Sequence, residues 1–247
     1  MGNRPMNLKS RENGYVDKRV RPVMKALADQ DRDRRRREGL GWPEAEPLLA
    51  ALEAAGIDTV DFGRFGEAAF TTFDFSRAVP ILVDWLPRVD DPRVKDAMVR
   101  SLAGQRSARG EGTRRLIEEF GRPEYADEAS LRWAIGNTLA TLAGPADADA
   151  IIEILRDRSG GMARQMLCDA LLRTKDHRRV DVLIDLIDDD SVAGHAIHAL
   201  RTIGRGALAE PERVRPMLET LLARPSATEF GQRQARAALK TTGPPGS

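Results

Sequence analysis

The chain has 247 residues, with 39 Lys/Arg against 38 Asp/Glu for a formal net charge of +1, and only 5% of it is aromatic. Abundant Leu, Ala, Arg, Asp and Glu suit helices and argue against a β-sandwich, and the balanced charge is not that of a dedicated DNA clamp. A single cysteine, Cys168, excludes an internal disulfide and a thiolate metal cluster, and no run approaches the ~20 apolar residues of a membrane span.

The near-neutral total hides an asymmetry. Residues 1–39 hold 12 Lys/Arg against 6 Asp/Glu, whereas the remainder holds 27 against 32. A basic arm on a mildly acidic body can seek an anionic partner or rest on the protein's own surface. The arm also lacks the contiguous apolar core of a secretory signal, so a soluble, cytoplasmic protein is expected.

Residues 1–41 form this arm. Val16, Val20, Val23 and Leu27 recur at helical spacing and predict a helix over 14–38, which Gly39 and Gly41 end. Its last stretch carries Arg32, Arg34, Arg35, Arg36 and Arg37, a candidate grip for phosphates or an acidic partner. The competing reading is a solvated helix end, partly neutralised by Asp29, Asp31, Asp33 and Glu38. Residues 42–76 read as a capping unit. Pro43 opens a helix to about Ala55 with Leu48, Leu49 and Leu52 on one side, and Gly56 suits its C-terminal cap. The aromatic-rich stretch 57–76 then reads as a loop over the exposed end of the core.

From Arg77 to residue 242 one helix-ending phrase recurs: MVRSLAG at 98–104, TLATLAG at 138–144, ALLRTK at 170–175, HALRTIG at 198–204 and AALKTTG at 237–243. A period of about 30–40 residues is the mark of stacked helical hairpins. The first helices are predicted over 78–88, 113–120, 147–156, 178–188 and 212–223, joined to their partners by turns such as Asp90-Asp91-Pro92 and Asp188-Asp189-Asp190-Ser191. Aligned on Val99, Leu139, Leu171, Leu200 and Leu239, the second helices give two more apolar columns. These are Met98, Thr138, Ala170, Ala199 and Ala238, and Lys95, Ile135, Leu167, Ala196 and Ala235. Small residues there let neighbouring helices approach, and large ones fill the groove. Residues 243–247 are a tail.

The phrases VPILVDWLP followed by DPRVKDAMVRSL, and RRVDVLIDLIDDDSVAGHAIHALRTIG, resemble HEAT-like repeats. Their short spacing is similar to the variant seen in bilin-lyase subunits. LRWAIGNTLATLA with GHAIHAL looks like bacterial HEAT-repeat proteins of unassigned function. The resemblance covers 77–242. It implies an all-α, right-handed α-solenoid of about five hairpins whose concave face binds a partner, and it implies no reaction. Nothing carries over to residues 1–60, which depart from the pattern.

Second helices of such hairpins line the concave face. The columns that helical geometry turns away from the core hold Arg93, Trp133, Gln165, Gly194 and Arg233; Ala97, Asn137, Asp169, His198 and Ala237; and Arg100, Ala140, Leu172, Arg201 and Lys240. The candidate partner-binding ridge is therefore Arg93, Arg100, Trp133, Asn137, Gln165, Asp169, His198, Arg201 and Arg233, since Trp and Arg dominate binding hot spots. Against this, polar residues on a helix face need no special reason to meet water.

Other motifs favour structural readings. His195 and His198 form H-x-x-H, but a metal needs further ligands, and the columns turn His195 toward the hairpin core. Cys168 has no placed base and reads as an inert, semi-buried thiol. Gly160-Gly161 follows no strand, so it marks a turn into the third hairpin's second helix and not a phosphate loop.

The expectation is a non-enzymatic scaffold or adaptor that grips another protein and needs no metal or cofactor. One alternative is a nucleic-acid binder or HEAT-like alkylpurine DNA glycosylase, which Trp133 and Asp169 echo loosely and the acidic body opposes. Another is a lyase-like or chaperone-like assembly helper, suggested by the repeat spacing alone. No membrane partner is expected.

Overall fold

The computed structural model describes residues 43–57, 76–208 and 211–241, together with Ala26, Gln30, Asp33 and Arg34, which are helical. Every regular element among these residues is a helix. The described residues group into two units, one within residues 1–108 and one within 109–247.

In the N-terminal unit, α1 (Ala45–Ala54) buries Leu48, Leu49 and Leu52, the stripe that the sequence spacing predicts. Gly56 follows it at φ +70°. Helix α2 (Val79–Trp85) carries Pro80 in its first turn and tightens into a 3₁₀ turn over Leu86–Arg88, and α3 (Pro92–Leu102) completes the hairpin. The Asp91 carboxylate caps α3 by accepting from the backbone N–H groups of Arg93 at 2.8 Å and Val94 at 3.4 Å. Such a cap satisfies two of the donors that a helix start leaves without partners. Glu44 accepts from the Asp90 and Asp91 N–H groups, at 3.0 and 2.8 Å, and so ties the start of α1 to the turn of this hairpin.

The second unit carries four more hairpins: α4 (Glu111–Phe120) with α5 (Ala129–Leu142), α6 (Ala148–Arg156) with α7 (Leu167–Thr174), α8 (Arg179–Asp185) with α9 (Ala193–Ile203), and α10 (Pro211–Ala223) with α11 (Glu229–Leu239). Each second helix packs on its own first helix. In addition α5 packs on α7, α7 on α9, and α9 on α11. All the column residues from Met98 to Ala238 and from Lys95 to Ala235 are buried, as are Val99, Leu139, Leu171 and Leu200; Leu239 is half-buried. Burying a Leu or Ile side chain stabilises by about 1.5–3 kcal/mol, so these columns are the main source of cohesion.

The third hairpin departs from simple helical spacing. Arg158–Arg164 is a 3₁₀ segment interrupted at Gly161, whose φ of 50° and ψ of −139° lie outside the helical region, and α7 begins only at Leu167. This irregular segment serves one fully buried residue, Arg164. Its Nη1 donates to the Leu155 carbonyl at 2.6 Å, its Nε to Gly161 O at 3.2 Å, and its Nη2 to Asp189 Oδ2 at 2.6 Å. It thus closes the open carbonyl end of α6 and reaches the turn of the fourth hairpin. A Cβ on Gly160 would lie 2.9 Å from Arg164 Cγ, so only glycine lets the arginine pass.

Burial pulls the Asp189 carboxyl toward higher pKa, but the Arg164 hydrogen bond and charge, with the Ser191 N–H, outweigh it and leave the group below the ordinary carboxylate value. A depressed folded pKa means the stabilisation is complete above the unfolded carboxyl's value of about 3.9 and is lost as pH falls through the lower folded value. Asp189→Asn or Arg164→Met should each cost about 3–5 kcal/mol by urea unfolding, because each strands a buried partner. Asp189→Asn should also flatten the acid limb of the stability profile.

Close packing at Gly194 gives a second prediction. A Cβ there would sit 2.5 Å from Phe230 Cδ1 and 3.1 Å from Gly231 Cα, where α9 meets α11. Gly194→Ala should therefore destabilise by about 1–3 kcal/mol despite its better helix propensity. The readout is the urea midpoint, and a gain in stability would contradict this packing.

Candidate functional site

The second helices that stack through their buried columns leave one face outward, and that face carries most of the residues expected to form a ridge. On α5, Trp133 is 38% exposed and Asn137 is half-buried one turn later. On α7, Asp169 is half-buried. On α9, His198 and Arg201 are exposed, and on α11, Arg233 is exposed. Because α5, α7, α9 and α11 pack in that order, these residues form a series from one helix to the next.

Specific contacts hold parts of the series. Gln165 lies in the turn before α7, since the 3₁₀ segment delays that helix, and its Nε2 donates to Ser191 O at 2.9 Å. Its amide is thereby committed to holding the turn ahead of α9. Arg201 Nη1 donates to Gln234 Oε1 at 2.5 Å, joining α9 to α11. The Arg233 guanidinium lies 5.3 Å from the Phe230 ring centroid, in cation–π range. Gly194 is buried and leaves a gap in the series, which Phe230 occupies.

Arg93 and Arg100 belong to the N-terminal unit. Arg93 Nη2 pairs with Asp91 at 2.7 Å, and the Asp91 hydrogen bond and charge hold its guanidinium above the ordinary value. Arg100 Nε pairs with Asp96 at 2.6 Å one turn away. Both arginines are thus engaged by aspartates close to them in their own segment. Of the arm, Arg34 is helical and exposed, and Arg32, Arg35, Arg36 and Arg37 lie outside the described residues. The same holds for 58–75 of the expected aromatic loop.

His195 and His198 differ in environment. His198 is exposed, whereas the His195 ring packs 4.9 Å from the Phe230 ring at an interplanar angle of 46°. Burial pushes the His195 imidazole below its ordinary pKa, the Asp169 carboxylate pulls it up, and His198 adds to the depression. Among the described residues no three His, Cys, Asp or Glu side chains gather as a metal site. Cys168 is fully buried, and burial raises its thiol pKa far above the ordinary value, which leaves it without thiolate character.

Sequence spacing missed Arg164, Phe230 and Gln234. Arg164 and Gln234 are polar residues that it assigned to no contact. Phe230 had a readable signal, because the column bearing Trp133 and Arg233 drops to glycine at Gly194, a space that a large neighbour must fill. The chain matches no protein-family model, no curated protein and no solved structure. No helix among the described residues is long and apolar enough to cross a membrane.

The His195 environment has a measurable consequence. With its folded pKa depressed, its contribution is complete above the unfolded imidazole's value of about 6.5 and is lost as pH falls through the lower folded value. His195→Gln should lessen the drop in urea midpoint between about pH 7.5 and pH 5. An unchanged drop would place the titration on another group.

Proposed function

We propose that this protein is a non-enzymatic, cytoplasmic scaffold built as a HEAT-like α-solenoid, and that it grips a partner protein along the outward face of its second helices. The observation that carries this reading is the ordered packing of α5, α7, α9 and α11, with Trp133, Asn137, Asp169, His198 and Arg201 along one outward series. In repeat proteins each unit contacts only its neighbours, which leaves an extended surface for recognition. Trp133 suits an anchor because a large, rigid, amphipathic ring contributes contact area at small entropic cost.

The face suits binding by distributed contacts. Its polar groups are spread over four helices, and its exposed Trp133 stands on α5 one turn before a carboxamide. Trp133→Ala combined with Asn137→Ala should weaken capture of the partner by the full chain by about tenfold or more, the scale of a hot-spot truncation, while the melting temperature stays close to wild type. A photo-crosslinker at Asn137 should label the partner, and one at the exposed Glu153 of α6 should not. Equal labelling from both positions would refute the assignment of the face.

A further inference from the structure

The second unit treats its cations in two ways. Along the first helices and turns, arginines meet carboxylates. Arg178 pairs with Asp149 at 2.6 Å and Asp176 at 2.9 Å, and Arg213 with Asp181 at 2.7 Å and Asp185 at 3.1 Å. Arg215 pairs with Glu219 at 3.0 Å, and Arg224 with both Asp188 and Asp190. At the C-terminal end of the second-helix face, the arginines meet neutral groups among the described residues. Arg201 donates to Gln234, Arg233 covers the Phe230 ring, and Arg236 Nη2 donates to Gln232 Oε1 at 3.0 Å. Lys240 is exposed, and among the described residues no carboxylate pairs with it.

These four cations share a surface. Arg233 and Arg236 of α11 and Lys240, its C-terminal cap with helical φ and ψ, stand at i, i+3 and i+7, so they form a single stripe, and all three are exposed. Arg201 joins them from α9 through its bond to Gln234. Between them lie the half-buried Phe230 and Ala237, an apolar floor with cationic walls. Glu229 sits one turn before Arg233, the right spacing for an ion pair, yet none joins them, and the guanidinium covers Phe230 instead. The helix C-terminus favours cations in its last turn, which accounts for Arg201 and Arg236, but Arg233 lies mid-helix beyond that influence.

We infer that this basic stripe of α11 with Arg201 of α9 receives an acidic segment of the partner polypeptide, one that carries an apolar residue among its carboxylates. The inference rests on the ridge reading above and supplies the chemistry of one end of it. Guanidinium groups bind carboxylates in paired hydrogen bonds, and an apolar side chain between the acids matches the Phe230–Ala237 floor. A nucleic-acid backbone fits less well. The stripe and Arg201 together offer four cations, on a body with excess acidic residues that would repel a phosphate backbone.

The test uses the full chain and a fluorescein-labelled peptide of Glu and Asp around a central Leu, read by fluorescence anisotropy. Counter-probes are the same peptide with Gln and Asn for the acids, and a single-stranded oligonucleotide of equal charge. The acidic peptide should bind, weaken steeply with added salt, and lose about tenfold or more of its affinity in Arg233→Ala/Arg236→Ala/Lys240→Ala. The N-terminal arm is present in both proteins, so its attraction cancels in the comparison. If the triple variant melts early, Arg233→Gln alone should still weaken binding about threefold, and the wild-type salt dependence stands by itself. Equal binding of the Gln/Asn peptide, an unaffected variant, or tighter stripe-dependent binding of the oligonucleotide would each overturn the inference. The peptide assay reads the stripe and the Trp133→Ala/Asn137→Ala capture assay reads the α5 end, so failure of the stripe and failure of the Trp133 face are read separately.

Discussion

Three aspartates in one turn impose the constraint on which the second unit depends. Asp188, Asp189 and Asp190 follow one another at the joint of the fourth hairpin, and like charges at that spacing repel unless cations arrive from elsewhere. They arrive from both sides in sequence. Arg164 of the third hairpin takes Asp189, Arg158 takes Asp188 at 3.6 Å, and Arg224 of the fifth hairpin takes Asp188 and Asp190, with Ser226 donating to Asp190. One turn therefore fixes the register of three consecutive hairpins. Of these pairs only Arg164–Asp189 is buried. Taking two charges out of water costs several kcal/mol, and the full set of hydrogen bonds around Arg164 offsets that cost. A hydrophobic pair of similar volume would hold the hairpins together as well but would specify their register less sharply.

The exposed pairs act differently. Asp149–Arg178 and Asp181–Arg213 both run in one sense, with the earlier hairpin supplying the carboxylate and the later one the guanidinium. Each contributes less than about 1 kcal/mol in water, so they cannot drive the stacking. Cohesion comes instead from buried columns such as Ile135, Leu167 and Ala196, where large side chains fill the space between helices and small ones let the helices approach. The ion pairs favour one register, because a slip would part each aspartate from the guanidinium it meets. Packing supplies the energy and charge supplies the alignment.

This division explains what the sequence could reveal. Helix positions and buried columns follow from local periodicity, which each segment carries within itself, and even Lys95 falls on a buried column as its spacing requires. The candidate face was legible for the same reason at Trp133, Asn137, His198 and Arg201, which lie inside regular helices. Gln165 was not, because Gly161 breaks the helical phase and α7 starts only at Leu167, two residues after Gln165. Arg164 was not legible either. Its partner is 25 positions away, and nothing in a run of polar residues announces which one is enclosed. Phe230 and Gly194 form a knob and a hole on different helices, so the fit exists only once α9 and α11 are paired.

A charged residue that is already neutralised inside the fold has little left for a partner, because binding must first break or share its bond. Arg164, Arg213 and Arg224 are in that position, and so are Arg93 and Arg100 with Asp91 and Asp96. Arg201, Arg233 and Arg236 are held in place by an amide or a ring that orients them without cancelling their charge. Such neutral supports preorganise a cation, reducing the side-chain entropy lost on binding while leaving its field intact. The same sorting applies to the face as a whole. Its buried column residues are spent on stacking, its Gln165 on a turn, and its Trp133 and C-terminal cations stand where a second molecule can reach them. Among these packed hairpins, it is this difference in how polar groups are satisfied that separates side chains committed to the fold from side chains left available at the surface.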